Sequence, residues 1–324
     1  MEHGLPILRC GKLVSAANAD ELPALGELYI RGRKNSVELQ LVTEAEAREI
    51  EPRARVFERA IFAPTTASVD PKAIMAKLVS CAESEGIEFN YGEAFIRARD
   101  GVVQSTINSY SAGYFVNAAG LYADKVAHAF GHGRRYRMLP FRGRYLRSIE
   151  PAGSFRAHIY PVPDPAWPFL GVHCTVTVDG RMKIGPTAFP AFWREHYQGI
   201  DNFSLVELAQ VCSREFGLMF RSKFKFRELA WQELRSMGSS AMIARAAKLA
   251  TGLTTDAFSM RTNPGIRAQL VDIQTGMLEM DFVMEADVNS LHVLNAVSPA
   301  FTCAIPIGAH VCDEIERQIG ARGS

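Results

Sequence analysis

Hydrophobic and polar positions follow two different periods along the chain, and the change of period separates predicted helices from predicted strands. Asp70-Pro71 combines a helix-capping aspartate with a proline suited to the first helical turn, and apolar residues at helical spacing follow it. Thr43 and Glu46 have the spacing of a capping box, which predicts a second helix ending before Pro52. The first quarter of the chain is therefore predicted to contain capped amphipathic helices.

From residue 87 the period shortens, which is typical of strands. Residues 87–91, 95–99, 102–107 and 114–117 are predicted to be short strands, and Asp100-Gly101 is a two-residue hairpin signal. The last of these strands runs directly into small residues, followed by a predicted helix over residues 121–130. A strand, small residues and a helix in this order allow the backbone to approach a ligand closely.

The second half of the chain repeats both patterns. Asp179-Gly180 predicts another hairpin, and residues 204–252 are predicted to be mainly helical. Strands return after Gly265 and end at about Leu294, and a final helix is predicted from about Pro299. The fold class is therefore mixed α/β, with residues 65–135 and 264–324 in one sheet-and-helix layer and residues 1–60 and 136–262 in another.

Composition narrows the classes of function. Of 324 residues, 48% are hydrophobic, and 36 basic residues balance 35 acidic ones, so a nucleic-acid partner is not expected. The six cysteines are scattered without a C-x-x-C pair, which favours a reducing, cytoplasmic location over a zinc or disulfide framework. No targeting or membrane-spanning segment is expected, while a peripheral membrane contact stays open.

Several residues are candidates for ligand binding. Arg267 lies in a strand-like apolar context, where a guanidinium suits bidentate pairing with a carboxylate, although a solvated or internally paired arginine has the same pattern. The Ala119-Gly120 turn and the Ser298-Pro299-Ala300 segment suit contacts to an anion or cofactor, or plain capping. Tyr160 could line a cavity or belong to the core.

Motifs for other chemistries are absent from the sequence. His158, His173, His196 and His292 are candidate acid–base groups, but no motif pairs any of them with a nucleophile. G-x-S-x-G, H-E-x-x-H, the P-loop and G-x-G-x-x-G are all missing, so a metal site is not expected and the catalytic base is not identified.

Seven segments, in order, nevertheless resemble the L-2-hydroxyglutarate oxidase/dehydrogenase family, which is related to D-amino-acid and glycine oxidases. These segments are Arg9-Cys-Gly-Lys-Leu-Val14, Val116-Asn-Ala-Ala-Gly-Leu-Tyr-Ala-Asp124, Leu139-Pro-Phe-Arg-Gly143, Ile159-Tyr-Pro-Val-Pro-Asp164 with Pro168-Phe-Leu-Gly-Val-His173, Asp179-Gly-Arg181 with Ile184-Gly-Pro186, Gly265-Ile-Arg-Ala-Gln269 and Leu291-His-Val-Leu-Asn-Ala-Val-Ser-Pro-Ala300. The resemblance covers essentially the whole chain.

The resemblance implies an FAD domain interrupted by a substrate domain. Residues 65–135 and 264–324 would belong to the FAD domain, and residues 1–60 and 136–262 to the substrate domain. It implies oxidation of L-2-hydroxyglutarate, a small dicarboxylate, to 2-oxoglutarate by hydride transfer to the flavin. The alternatives are an amino-acid or glycerol 3-phosphate oxidase of the same group and a non-catalytic remnant that binds a dicarboxylate or a protein partner.

The resemblance also assigns roles to residues. Arg267 would clamp the substrate carboxylate, with Tyr160 as a second substrate contact. Two segments would contact FAD, and their residues are Ala119, Gly120, Leu121, Ser298, Pro299, Ala300 and Thr302.

The chain departs from the family pattern at its start and at Arg144. Family members open with the G-x-G-x-x-G turn, and this sequence begins after it, so we expect a fragment or shortened relative that retains little FAD. Loss of the first strand should leave a sheet edge exposed. Arg144 stands where relatives commonly have glutamate. The electron acceptor and the oligomeric state are not predicted.

Overall fold

A computed structural model describes residues 3–163, 171–221 and 238–321. The chain folds into two compact units. The first unit comprises Met1–Phe89, Gly143–Ala188 and Trp231–Gly265, and the second comprises Asn90–Arg142, Phe189–Ala230 and Ile266–Ser324. These boundaries differ from the predicted domain boundaries, and the assignment of a cofactor or substrate role to either unit stays a prediction.

The helices of the described residues are, in chain order, α1 Leu22–Lys34, α2 Glu44–Ile50, α3 Pro71–Ser84, α4 Ala123–Ala129, α5 Leu205–Arg221, α6 Ser239–Ala246 and α7 Ala304–Ala321. The strands are β1 Ile7–Arg9, β2 Lys12–Ser15, β3 Gln40–Thr43, β4 Arg59–Ala63, β5 Ala67–Val69, β6 Phe95–Arg99, β7 Val102–Ser105, β8 Ser109–Ser111, β9 Phe115–Asn117, β10 Tyr136–Gly143, β11 Leu146–Arg147, β12 His158–Pro161, β13 His173–Val176, β14 Met182–Gly185, β15 Phe189–Pro190, β16 Met260–Arg261, β17 Gly265–Asp272, β18 Met277–Leu278, β19 Val283–Ala286 and β20 Ser290–Asn295. None of these helices is both long and apolar enough to cross a lipid bilayer.

The first unit is built on an eight-stranded sheet with the order β16-β11-β14-β13-β12-β2-β4-β3. Because side chains alternate between the faces of a strand, one face collects apolar residues and forms the core. Leu13, Ile159, Cys174 and Ile184 are fully buried there, together with residues of α6 such as Met242. On the other face, Val14 and Ile61 pack against Leu25 of α1 in a smaller apolar cluster, and polar and aromatic residues lie beside it.

The second unit contains three smaller sheets, ordered β15-β10-β17-β18, β19-β20-β9 and β6-β7-β8. In the second of these, β9 runs parallel to β20, with Asn117 opposite His292. In the described part of the chain β9 lies at the edge of that sheet. Helix α4 follows β9 and contributes Ala127 to a cluster with Met138, Leu270 and Leu294.

Local signals predicted most of these elements. The capping box of Thr43 and Glu46 is present at the start of α2, and Asp70 caps α3. Both hairpin turns form, between β6 and β7 and between β13 and β14. Each of these signals acts within a few residues, which explains why a local pattern is sufficient.

Two predicted elements are wrong, and part of a third cannot be compared. Residues 87–91 form no strand, and their apolar side chains Ile87 and Tyr91 are 55% and 71% exposed. The final helix begins at Ala304, five residues after the predicted start, because residues 298–303 form turns. Part of the predicted helical stretch, residues 222–237, lies outside the described residues.

Candidate functional site

The ends of two parallel strands bring the predicted cofactor residues of the second unit to one sheet edge. Strand β9 leads into residues 118–120, and its neighbour β20 leads into residues 296–303. Because parallel strands end at the same side of a sheet, both segments follow their strands at one edge. Carboxyl-terminal strand ends are where open α/β sheets commonly bind ligands.

Asn117 fixes the turn after β9. Its side-chain oxygen accepts the backbone N–H of Ala119 at 3.1 Å, and its amide nitrogen donates to the carbonyl of Ala123 at 2.9 Å. The same nitrogen lies 3.1 Å from Nδ1 of His292 on β20. Asn117 is buried, so this one side chain links the turn, the start of α4 and the neighbouring strand.

The backbone of this turn is accessible. Ala118, Ala119 and Gly120 are exposed, and Gly120 has a φ of +51°, which favours glycine. A Cβ at Gly120 would meet no atom within 4 Å, so space lies directly beside the backbone. Leu121 differs from these residues, because its partly buried side chain packs against the cluster around Leu270.

The segment after β20 presents a second accessible backbone. Ser298 and Pro299 are exposed and Ala300 is half-buried. The Thr302 hydroxyl donates to the carbonyl of Pro299 at 3.0 Å. The described residues supply no acceptor for the backbone N–H groups of Phe301 and Thr302, so both can donate to an anion or a ligand oxygen. The predicted proline at the first helical position is wrong, since these residues precede the helix.

A buried ion pair anchors the helix behind the first turn, and no sequence motif signalled it. The guanidinium of Arg194 donates to both carboxylate oxygens of Asp124 at 2.7 and 2.9 Å, and both side chains are about 1–2% exposed. The backbone N–H of Met138 donates to the same carboxylate at 2.9 Å, and Arg194 also donates to the carbonyl of Leu121. Burial raises the pKa of the Asp124 carboxyl, but the hydrogen bonds and the positive charge of Arg194 have the larger combined effect, so the pKa is lowered overall.

Arg267 lies on β17 of the second unit and is partly buried. Burial lowers the pKa of its guanidinium, which nevertheless stays charged at neutral pH. Gln269, two residues along the same strand face, is fully buried and donates to the carbonyl of Glu279 at 2.6 Å. That hydrogen bond fixes the strand next to Arg267.

Tyr160 belongs to the first unit and lies on the face of the eight-stranded sheet that packs against α1, where it contacts the apolar cluster of Val14, Leu25 and Ile61. Its ring stacks on His173, with 4.2 Å between the ring centroids, and Nζ of Lys12 lies 5.5 Å from the ring centroid. Burial raises the pKa of the Tyr160 hydroxyl, and a hydrogen bond with the Thr175 side chain partly offsets this effect. The predicted substrate residues Tyr160 and Arg267 thus lie in different units.

Three of the four candidate histidines have both ring nitrogens engaged. His158 accepts the N–H of Val176 at 3.0 Å and lies 3.3 Å from Sγ of Cys10. His292 contacts Asn117 and Ser290. The two ring nitrogens of His196 lie 3.3 Å from the Phe192 backbone nitrogen and from Arg142, respectively. These contacts support structural roles for the three side chains.

His173 differs from the other three. Its Nδ1 lies 2.9 Å from the carbonyl of Gly171, which can only accept, so Nδ1 carries the proton and Nε2 has a free lone pair. Within the described ranges no group hydrogen-bonds to Nε2. Burial and the nearby lysines lower the pKa of His173 to about 4, which keeps the ring neutral at pH 7.

A cavity of about 380 Å³ lies elsewhere in the second unit. Its lining includes Phe115, Phe130 and Ser290, near the amino-terminal ends of β9 and β20. It is therefore separate from the edge at which these strands end. In the parts of the chain that the structure describes, no three His, Cys, Asp or Glu side chains form a metal-binding cluster.

Comparison with known proteins identifies the family of the chain. Residues 1–314 match the family model described as FAD dependent oxidoreductase. The chain is 33% identical to L-2-hydroxyglutarate dehydrogenase, mitochondrial, of Nematostella vectensis, over 97% of this chain and 73% of that protein. It is 30% identical to L-2-hydroxyglutarate dehydrogenase of Escherichia coli (strain K12), over 100% of this chain and 77% of the relative.

Solved structures share the fold at lower identity. Glycine oxidase from Geobacillus kaustophilus superposes with a TM-score of 0.66 at 18% identity, covering 97% of this chain and 72% of that chain. An L-alpha-glycerophosphate oxidase from Mycoplasma pneumoniae also has a TM-score of 0.66, at 17% identity, covering 97% and 74%. The resemblance inferred from the seven segments is confirmed, and the chain belongs to the L-2-hydroxyglutarate dehydrogenase family of FAD-dependent oxidoreductases.

Proposed function

We propose that this protein oxidises L-2-hydroxyglutarate to 2-oxoglutarate, with FAD as the hydride acceptor. The observation that carries the proposal is the pair of accessible strand ends, after Asn117 and after Asn295, in a chain that matches dehydrogenases of this substrate along nearly its whole length. The oxidation removes a hydride from C2 and a proton from the C2 hydroxyl.

The residues at the two strand ends fit a flavin cofactor. The open backbone at Ala119 and Gly120 would lie against it, and the N–H groups of Phe301 and Thr302 would donate to its electron-rich atoms. FAD, when bound, accepts the substrate hydride. The sequence contains no G-x-G-x-x-G turn for the pyrophosphate, and for this reason we propose that the 324-residue chain binds FAD weakly.

Arg267 is proposed to pair with a substrate carboxylate. A guanidinium matches a carboxylate with two parallel hydrogen bonds, and partial burial strengthens such a pair because less water competes for it. Gln269 supports this role by holding the strand through Glu279.

His173 is proposed to receive the hydroxyl proton at Nε2. Of the four candidate histidines, it alone leaves a ring nitrogen without a partner among the described residues. Its ring is neutral across the physiological pH range, so it would take up the hydroxyl proton only transiently and pass it to solvent. His173→Gln should lower kcat about 100-fold with little change in KM, and a variant with unchanged kcat would remove His173 from this role.

The test is an assay of the purified chain with saturating FAD and an artificial electron-accepting dye. We expect dye reduction with L-2-hydroxyglutarate and much less with D-2-hydroxyglutarate, glycine or glycerol 3-phosphate. A preference for glycine or glycerol 3-phosphate would assign the chain a rival activity of the same group. Dye reduction by none of the four, with flavin shown to be bound, would contradict the proposed oxidation.

Flavin binding is measured separately, by the absorbance of protein purified without added FAD. We expect little flavin to co-purify, and a stoichiometric flavin spectrum would contradict the proposal of weak binding.

A further inference from the structure

Beside the apolar contact with α1, the same face of the eight-stranded sheet in the first unit carries cations and aromatic rings. Tyr160 and His173 lie on adjacent strands and stack on each other, and Lys12 approaches Tyr160 from the strand on the other side. Lys183 lies on β14, with Nζ 4.4 Å from the ring centroid of Tyr145. These side chains alternate with the buried apolar residues of the same strands.

Neither lysine has a carboxylate partner among the residues that the structure describes. Other cations of the first unit do have one: Arg147, directly across from Lys183, pairs with Asp179, and Arg53 pairs with Glu150 at 2.6 Å. Lys12 and Lys183 differ from these two arginines, because they are partly buried and no described carboxylate pairs with them.

Both lysines are partly buried, which makes a missing counter-ion costly. Burial lowers the pKa of each ammonium, and for Lys183 the nearby Arg147 adds to the effect. The aromatic rings offset only part of this cost. His173 is neutral at pH 7, so the positive charge of the face comes from the lysines. A desolvated cation without a partner is a feature typical of a binding site for an anion.

We propose that Lys12 and Lys183 each bind one carboxylate of a dicarboxylate ligand on this face. The proposal rests on the proposed function, since the ligand belongs to the same chemical class as the proposed substrate, and the site that it names consists of first-unit residues alone. A ligand with one carboxylate and an apolar tail leaves at least one lysine without a partner, so the face favours dicarboxylates over monocarboxylates.

The experiment is calorimetric titration of the purified full chain with glutarate, compared with butyrate and inorganic phosphate. We expect glutarate to bind with a dissociation constant at least tenfold lower than that of butyrate. Lys12→Met and Lys183→Met should each weaken glutarate binding at least tenfold, while Lys72→Met, which changes an exposed lysine of α3, should leave it unchanged. Undetectable glutarate binding by the wild type would overturn the proposal, as would variants that bind like the wild type or phosphate binding tighter than that of glutarate.

Thermal unfolding separates a binding role from a structural one. Because a partly buried, unpaired ammonium disfavours folding, both methionine variants should have a Tm equal to or above that of the wild type. A lowered Tm together with weaker binding would assign the lysines a structural role and overturn the proposal.

The outcome is distinct from that of the dehydrogenase assay, because glutarate binding requires neither flavin nor turnover. Glutarate binding that depends on both lysines, without oxidation of L-2-hydroxyglutarate, would support the carboxylate site and contradict the proposed dehydrogenase activity. Oxidation of L-2-hydroxyglutarate with a KM that neither lysine variant changes would support the dehydrogenase activity and contradict the carboxylate site.

Discussion

At the scale of single residues, Arg267 is the side chain whose proposed role is simplest to test. Its guanidinium is partly buried on β17 and its strand is fixed by Gln269, so it should pair with a carboxylate at a defined position. The candidate cofactor residues lie on other segments, the ends of β9 and β20. Loss of Arg267 should therefore affect substrate binding and leave the cofactor bound.

We expect Arg267→Ala to raise the KM for L-2-hydroxyglutarate at least tenfold, because a charge-assisted bidentate pair is lost. Flavin content, measured by absorbance after addition of FAD, should match that of the wild type. Arg33→Ala, which removes an exposed arginine of α1, is the matched control and should leave KM unchanged. An unchanged KM in Arg267→Ala would remove Arg267 from the substrate site.

At the scale of elements, the turn between β9 and α4 depends on side chains far apart in the sequence. Asn117 bonds to the turn and to the helix start, and Arg194 reaches Asp124 of α4 across 70 residues of chain. Because these bonds are buried, they should hold the turn in one conformation with or without a ligand.

Asn117→Ala should lower the free energy of unfolding by roughly 2–3 kcal/mol, because it leaves a buried N–H and a buried carbonyl without their partner. Urea unfolding measures this loss. Asn108→Ala, in an exposed turn of the same unit, serves as the control and should change stability much less. A loss below about 0.5 kcal/mol in Asn117→Ala would show that the turn does not depend on this side chain.

Asp124→Asn should be more damaging, since among the described residues the buried Arg194 guanidinium then keeps only the carboxylate of Glu207, 3.8 Å from its Nε. We expect a loss of about 3–5 kcal/mol in the free energy of unfolding. The double variant Asp124→Leu/Arg194→Met removes both charges and should recover a large part of that loss. If the single and double variants were equally unstable, packing and not the ion pair would explain the effect.

At the scale of the whole molecule, buried histidines predict how stability depends on pH. His158, His173 and His292 are at most 8% exposed, and burial lowers the pKa of each to about 4. In the unfolded chain a histidine has a pKa of about 6.5. Between about pH 4 and about pH 6.5 the unfolded chain therefore binds more protons than the folded protein, so the free energy of unfolding falls as the pH decreases.

Each of these histidines should lower the free energy of unfolding by up to about 1.4 kcal/mol per pH unit as the pH falls from 6.5 towards 4. Urea unfolding at pH 7.5 and at pH 5 measures the difference. His158→Gln should reduce that pH dependence, whereas His310→Gln, at an exposed position, should not. A stability that is constant over this range would contradict the shifted pKa values.

The sequence by itself determined the elements that depend on local contacts, and the family. Thr43 with Glu46, Asp70 with Pro71 and the two Asp-Gly turns each act within a few residues, so they specify their elements wherever the chain folds. The seven ordered segments were sufficient to identify the family, because segments can be matched in sequence and in order without knowing how the strands pair.

Only the tertiary structure decided which distant residues meet, because pairing between strands and burial depend on the whole chain. In the tertiary structure residues 87–91 form no strand, and α7 begins at Ala304. The tertiary structure joined Arg194 to Asp124, and it brought Lys12 and Lys183 from separate strands to one face. In the sequence each of these charged residues has the pattern of a solvated side chain, and only burial beside a partner or an aromatic ring gives it a specific role.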